Sequence, residues 1–142
     1  MKEAFKEAKK AYDKNEVPIG AVIVKNNKII GKGHNLKEKN NDCTQHAEIL
    51  AIKEASKSIK NWRLTGCDMY VTIEPCVMCS GAIYQSRIKK VYIGSPDNKS
   101  GGVLSVYKIL SDKRLNHQTK INVGLMRKEC SQLVKKFFNK LR

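Results

Sequence analysis

Two short clusters constrain this chain more than anything else in it: His46-Ala47-Glu48, and Pro75-Cys76-Val77-Met78-Cys79 further along. Residues three apart share one face of a helix, so Cys76 and Cys79 converge if a helix begins near Cys76. Pro75 suits a place just ahead of, or at, the first helical position, where its missing N–H costs nothing. A helix N-terminus also favours thiolate, because free N–H groups and the dipole stabilise negative charge. His46 and Glu48 are two apart and in a regular helix would point roughly 200° away from each other. They serve one site only if the triplet lies at a helix start, where the first residue need not be helical. The apolar run from Ile49 onward places it there.

One imidazole and two thiols are what a catalytic zinc needs, with a fourth position left for water. Zinc with two thiolates and a neutral histidine is formally neutral, so that position accommodates hydroxide. Bound water then titrates near ~7 in favourable sites. Glu48, next to the cluster without being a ligand, is placed to take a proton from this water and hand it on during the reaction. Neither motif is specific alone. A structural zinc site closed by four Cys/His ligands is the plain alternative, and Cys43, His34 or His117 would have to supply the fourth.

The periodicity predicts a helix over 2–14, with Ala4, Phe5, Ala8, Ala11 and Tyr12 on one side, ended by Val17-Pro18. Strands at 20–25 and 28–33 flank an Asn26-Asn27 turn. A helix over 46–60 carries Ile49, Leu50, Ile52 and Ala55 on its apolar side. A strand at 68–73 leads through Glu74-Pro75 into a helix at about 76–86. A strand follows at 90–94, then a polar Gly-rich loop at 97–102, a helix at 103–110 and a brief strand at 121–123. The last helix, about 127–140, is expected to put Cys130, Leu133, Val134, Phe137, Phe138 and Leu141 on one face. Strands alternating with helices after an opening hairpin indicate an α/β layered domain with a mixed sheet, and no linker or repeat divides residues 1–142.

The net charge of +15, from 28 Lys+Arg against 13 Asp+Glu, predicts attraction to a polyanion, nucleic acid first. The charged opening MKEAFKEAKKAYDKNE has no apolar core of a secretory signal, and no stretch approaches the ~20 apolar residues of a membrane span. Five cysteines, an odd number, suit a reducing cytoplasmic compartment.

The H-x-E and P-C-x-x-C pair is the signature of zinc-dependent deaminases. The resemblance extends over almost the full length, from about Ala4 to Arg142. It includes EVPIGAV at 16–22, Gly33-His34-Asn35, residues 42–48, YVTIEPCVM at 70–78, Gly81-Ala82, Ser86-Arg87-Ile88, GSPD at 94–97, Leu115-Asn116-His117 and Phe137-Phe138 before a basic end. On these residues the chain resembles the TadA-type tRNA-specific adenosine deaminases. That resemblance implies a three-layer cytidine deaminase-like fold, with a mixed sheet of about five strands flanked by helices. It implies hydrolysis of the wobble adenosine of a tRNA anticodon stem-loop to inosine, through one Zn2+ per chain on His46, Cys76 and Cys79, with Glu48 moving protons. It further implies that Asn35 bonds the purine, that Asp97 faces the ribose, and that Val17 and Ile73 line the base pocket. Asn116 and His117 would meet neighbouring nucleotides, and a homodimer would bind the loop across its interface. Phe138, Lys135, Lys136, Lys140 and Arg142 form the candidate RNA-contacting end.

Departures from the family pattern are Cys43 where proline is usual, Gln45 where a small residue is usual, and the Gly101-Gly102-Val103 run. Several residues also have plainer roles open to them: Asn35 as a turn residue, Asp97 as a turn cap, His117 as a structural group. The last helix can equally be an ordinary amphipathic one. Alternatives for the whole chain are a free-base or nucleoside deaminase acting on guanine or cytidine, a noncatalytic nucleic-acid-binding relative, and a zinc-stabilised binding domain.

Overall fold

In the computed structural model, which describes residues 1–142, the elements run α1 (Lys2–Asp13), β1 (Gly20–Lys25), β2 (Lys28–His34), α2 (Ala47–Ile59), β3 (Asp68–Ile73), α3 (Val77–Gln85), β4 (Lys90–Ser95), β5 (Lys120–Val123) and α4 (Arg127–Lys140). The five strands form one sheet in the order β2-β1-β3-β4-β5. The hairpin partners β1 and β2 are antiparallel, as are β1 and β3, while β3, β4 and β5 run parallel. The sheet is therefore mixed, as expected. Asn26 and Asn27 close the hairpin with positive φ (51° and 63°), a conformation asparagine tolerates.

Helices cover both faces. One layer is α2 and α3, and between it and the sheet lie Ile23, Met69, Val71, Ile83, Val91 and Ile93. The other layer is α1 and α4, where Tyr12 meets Phe137 edge to face at 6.2 Å. Glycines let the helices approach closely. A Cβ at Gly20 would collide with the Ala4 carbonyl oxygen and the Ala8 nitrogen, and one at Gly31 or Gly33 would strike the backbone of α2. This explains one difference from expectation. The buried face of α2 is Ala47, Glu48, Ala51 and Ala55, while Ile49, Leu50 and Ile52 are half-buried, because alanines fit where the strand comes closest. Gly20→Ala should push α1 off the sheet and cost about 1–3 kcal/mol, as overpacking does. A urea midpoint unchanged from wild type would contradict that packing.

Two other expectations need correction. Residues 103–110 form a turn followed by irregular backbone, not a helix. The N–H groups of Val103, Leu104 and Ser105 donate to the carboxylate of Glu74 at 3.1, 2.8 and 3.0 Å, and those of Val106, Tyr107 and Ile109 reach back to the carbonyls of Gly101 and Gly102 rather than to the carbonyls four residues before them, so no helical ladder forms. On α4 only Cys130 and Phe137 are buried, while Phe138 and Leu141 are 44% and 62% exposed. No helix is long and apolar enough to cross a membrane.

Candidate metal centre and cleft

His46 and Cys76 are the N-cap residues of α2 and α3, and both have extended backbone (φ −81°, ψ 155° and φ −74°, ψ −179°). That conformation turns the His46 ring out of the helical screw and brings it to the same site as Glu48. Cys79 follows in the first turn of α3. The Nδ1 atom of His46 lies 3.7 Å from Cys76 Sγ and 3.5 Å from Cys79 Sγ. A tetrahedral ion with Zn–S near ~2.3 Å and Zn–N near ~2.0–2.1 Å needs S···N separations of about 3.6 Å. Donor set and spacing both fit zinc. These three ligand atoms form the chain's one such cluster, all lying within 4.8 Å of one another.

The three residues considered as a fourth protein ligand are elsewhere. Cys43 is exposed. His34 lies between Glu7 (Nδ1···Oε1, 3.0 Å) and Lys14 (Nε2···Nζ, 2.9 Å), and His117 Nε2 is 2.9 Å from the Ile88 carbonyl. Three candidate protein ligands with no fourth beside them match the open form expected of a catalytic rather than a structural zinc centre.

The electrostatics suit proton traffic. The Cys79 thiol donates to Cys76, and His46 bonds it as well, so the Cys76 thiol is held down at about 4 despite burial. The same bond to Cys76 raises the His46 imidazole. Cys79 is pushed up because it gives the hydrogen bond and is buried. Glu48 is 4% exposed. Burial pushes its carboxyl up to about 7, its backbone N–H opposes this, and the Cys76 charge adds to the rise. A carboxyl poised there both accepts and releases protons near neutral pH.

His46 and Glu48 border a small recess with Ile19 and Asn35. Ile19 also lines a cleft of about 540 Å³ that contains Val17, Ile73 and Asp97 on one side and Ser131, Val134, Lys135 and Phe138 of α4 on the other. Asn35 is buried, its side-chain amide donating to the Val17 carbonyl at 3.3 Å and its carbonyl accepting from Lys37 N–H at 3.1 Å. Asp97 caps a turn, accepting from Lys99 N–H (3.0 Å), Ser100 N–H (3.3 Å) and Ser100 Oγ (2.7 Å). Both therefore play the plainer role, Asn35 while bordering the recess and Asp97 while lining the cleft.

The remaining candidates divide. Lys135 and Phe138 line the cleft. Lys136 and Lys140 instead lie over the Tyr12 ring, and Lys140 donates to Asn15. Arg142 is exposed at the chain end. Asn116 accepts from Tyr84 Oη at 2.7 Å, and His117 is tied to Ile88. Tyr84 is in the last turn of α3 and Ile88 lies just beyond it, at the opposite end of that helix from Cys76.

Sequence reasoning missed two buried carboxylates that shape the cleft. Glu16, fully buried, accepts from the N–H groups of Glu38 (3.0 Å) and Lys39 (2.6 Å), next to Val17 and Asn35. Glu74 gathers the 97–105 segment. Each is a glutamate immediately ahead of an apolar or proline-containing turn with no basic residue beside it, which is the one signal the sequence offers.

Known proteins resemble this chain over nearly its whole length. The whole chain, residues 1–142, matches the family model of MafB19-like deaminases. It is 51% identical over 138 residues to the tRNA-specific adenosine deaminase of Streptococcus pyogenes serotype M1, covering 97% of this chain and 81% of that protein. A solved structure from work on A-to-I editing by tRNA:A34 deaminases at the wobble position of transfer RNA matches with a TM-score of 0.90. It is 39% identical and covers 94% of this chain and 96% of the other. A guanine deaminase from Nitrosomonas europaea shares the fold, with a TM-score of 0.82 at 18% identity over 96% of this chain and 81% of its own.

Proposed function

The chain belongs to the MafB19-like deaminases and to the tRNA-specific adenosine deaminases, and from that membership we propose that it hydrolyses the wobble adenosine of a tRNA anticodon loop to inosine and ammonia. The observation that carries the chemistry is the buried Glu48 carboxyl beside a His46–Cys76–Cys79 cluster spaced for one zinc per chain. When bound there, zinc supplies Lewis acidity to the attacking water and a fixed positive charge. The remaining work falls to the chain. Glu48 takes a proton from the water onto a carboxylate oxygen, delivers it to the purine ring nitrogen, and passes the next to the leaving amino group, which departs as ammonia. Asn35, at the rim of the recess, orients the base. Val17 and Ile73 supply an apolar wall, and Asp97 meets the ribose side. The nucleotide has to leave its stack to reach this depth.

The open cleft supports a polymer substrate over a free base. Its far edge is Lys135 and Phe138, a cation and a 44% exposed aromatic on α4. That pair suits a phosphate and an unstacked neighbouring base. Exposed apolar side chains (Val77 at 47%, next to Cys76 in the chain, and Tyr107 at 57%, with Leu104 and Val106) support a homodimer. The +15 charge suits an RNA enzyme working in the cytoplasm.

The test is turnover on an anticodon stem-loop with a wobble adenosine, the same loop with wobble guanosine, and free adenosine, guanine and cytidine. Inosine should form from the first alone. Binding should weaken with salt, with log Kobs against log[salt] falling at a slope of about −3 if four phosphates are neutralised. Efficient turnover of a free base together with salt-independent RNA binding would move the protein to the small-molecule deaminases.

A further inference from the structure

Glu74 lies between the last strand residue before the metal-ligand turn and the turn itself, and it is 3% exposed. It takes part in no ion pair. Its charge is instead surrounded by backbone. Oε1 accepts from Asp97 N–H at 3.0 Å and from the Ser105 hydroxyl. Oε2 accepts from the N–H groups of Val103, Leu104 and Ser105. Five donors, all from one segment well beyond it in the chain, converge on one carboxylate. Successive N–H groups wrapped around an anion in this way form a nest.

The Gly101-Gly102 pair belongs to the same construction. A Cβ on Gly101 would collide with Glu74 Oε2, and one on Gly102 would fall 2.9 Å from the Cys76 carbonyl carbon and oxygen. Gly102 N–H donates to the Pro75 carbonyl at 2.8 Å, and Gly101 bridges to Cys76. The two glycines therefore let the 97–105 segment lie directly on the turn that carries Cys76, with Glu74 as the fastener between them. Asp97, whose N–H is one of the five donors, is the cleft-wall residue at the other end of this segment.

We propose that Glu74 is a positioning residue for the substrate cleft: it sets the place of Asp97 relative to the metal-ligand turn by holding the 97–105 segment through its carboxylate. It acts through Asp97 and touches no substrate atom. This rests on the cleft being the nucleotide site argued above. A glutamine at this position is nearly the same shape but replaces one acceptor oxygen with an NH2. Either Asp97 N–H or the three N–H groups of 103–105 then face a donor in place of an acceptor.

The experiment uses the zinc-loaded full chain carrying Glu74→Gln, with Ser105→Ala as a milder variant that removes a single donor. Hydrogen exchange over residues 97–105, zinc per chain, and KM and kcat on the wobble-adenosine stem-loop are all measured. Exchange across 97–105 should speed up at least tenfold in Glu74→Gln, with about one zinc per chain retained. KM should rise about tenfold while kcat changes less than threefold. In an Asp97→Ala background, Glu74→Gln should raise KM by less than twofold, because the residue it positions is gone. Ser105→Ala should shift exchange and KM in the same direction by a smaller factor. Unchanged exchange at 97–105 in the folded variants overturns the proposal, whatever the substrate proves to be. So does a KM effect of Glu74→Gln that persists in full without Asp97, or zinc loss with the segment still protected. A wild-type enzyme inactive on the stem-loop would instead defeat the functional reading, and the exchange measurement would still decide the role of Glu74.

Discussion

Glu48→Ala should lose inosine formation by at least three orders of magnitude while keeping its fold and about one zinc per chain. General acid–base catalysis by one positioned group contributes ~10²–10⁴ in rate. Here the same carboxyl is asked to serve the water, the ring nitrogen and the leaving group, which places the loss at the upper end. Glu48 is not one of the three atoms spaced for the ion, so zinc retention separates its role from that of the ligands. Glu48→Gln is the shape-preserving control. It fills the same buried volume, cannot accept the proton, and should be nearly as inactive. Single-turnover assays, with enzyme in excess of the stem-loop and at saturating concentration, isolate the chemical step. Near-normal turnover by either variant would remove Glu48 from the mechanism.

The second large effect is on the metal. Cys76→Ala with Cys79→Ala leaves His46 alone, and zinc measured by elemental analysis should fall from about one per chain to near none, with complete loss of activity. Stability should fall too, because a metal bound only by the folded state stabilises it by mass action. The loss should show as a lower melting temperature in the double variant, matched by wild type after chelation. Cys43→Ala should keep both zinc and activity, since Cys43 is exposed and outside the cluster. Full zinc in the double variant would overturn the ligand assignment.

Much of this molecule is legible in its amino-acid sequence. The strands expected at 20–25, 68–73 and 90–94 are short β-branched runs bounded by turn residues, and the structure has strands at Gly20–Lys25, Asp68–Ile73 and Lys90–Ser95. The helix expected at 103–110 does not form, for a specific reason. A helix needs each N–H beyond its first turn to reach the carbonyl four residues back, and here the N–H groups of Val106, Tyr107 and Ile109 reach the carbonyls of Gly101 and Gly102 instead, while Glu74, about thirty residues earlier, holds those of Val103, Leu104 and Ser105. The apolar stripe on α4 departs from expectation in a related way. Periodicity places Phe137 and Phe138 on neighbouring sides, but only the packing of Tyr12 decides that Phe137 is the buried one and leaves Phe138 to the cleft.

By itself, then, the sequence determined the chemistry and the local geometry it demands. Residue type sets which atoms can ligate or titrate. Spacing within one segment sets which of them share a face, so His46, Glu48, Cys76 and Cys79 could be assigned to two helix starts. Tertiary structure alone decided what no local rule encodes. It brought the two helix starts to within ligand distance on one face of the sheet, left Cys43, His34 and His117 out of the cluster, and separated Lys135 from Lys136 and Lys140. It also surrounded two buried glutamates with backbone donors from distant segments. The physical reason is the same in each case. These contacts are made between parts of the chain far apart in sequence, and the carboxylates are satisfied by backbone N–H groups, which are identical at almost every residue and so leave no mark in the amino-acid sequence.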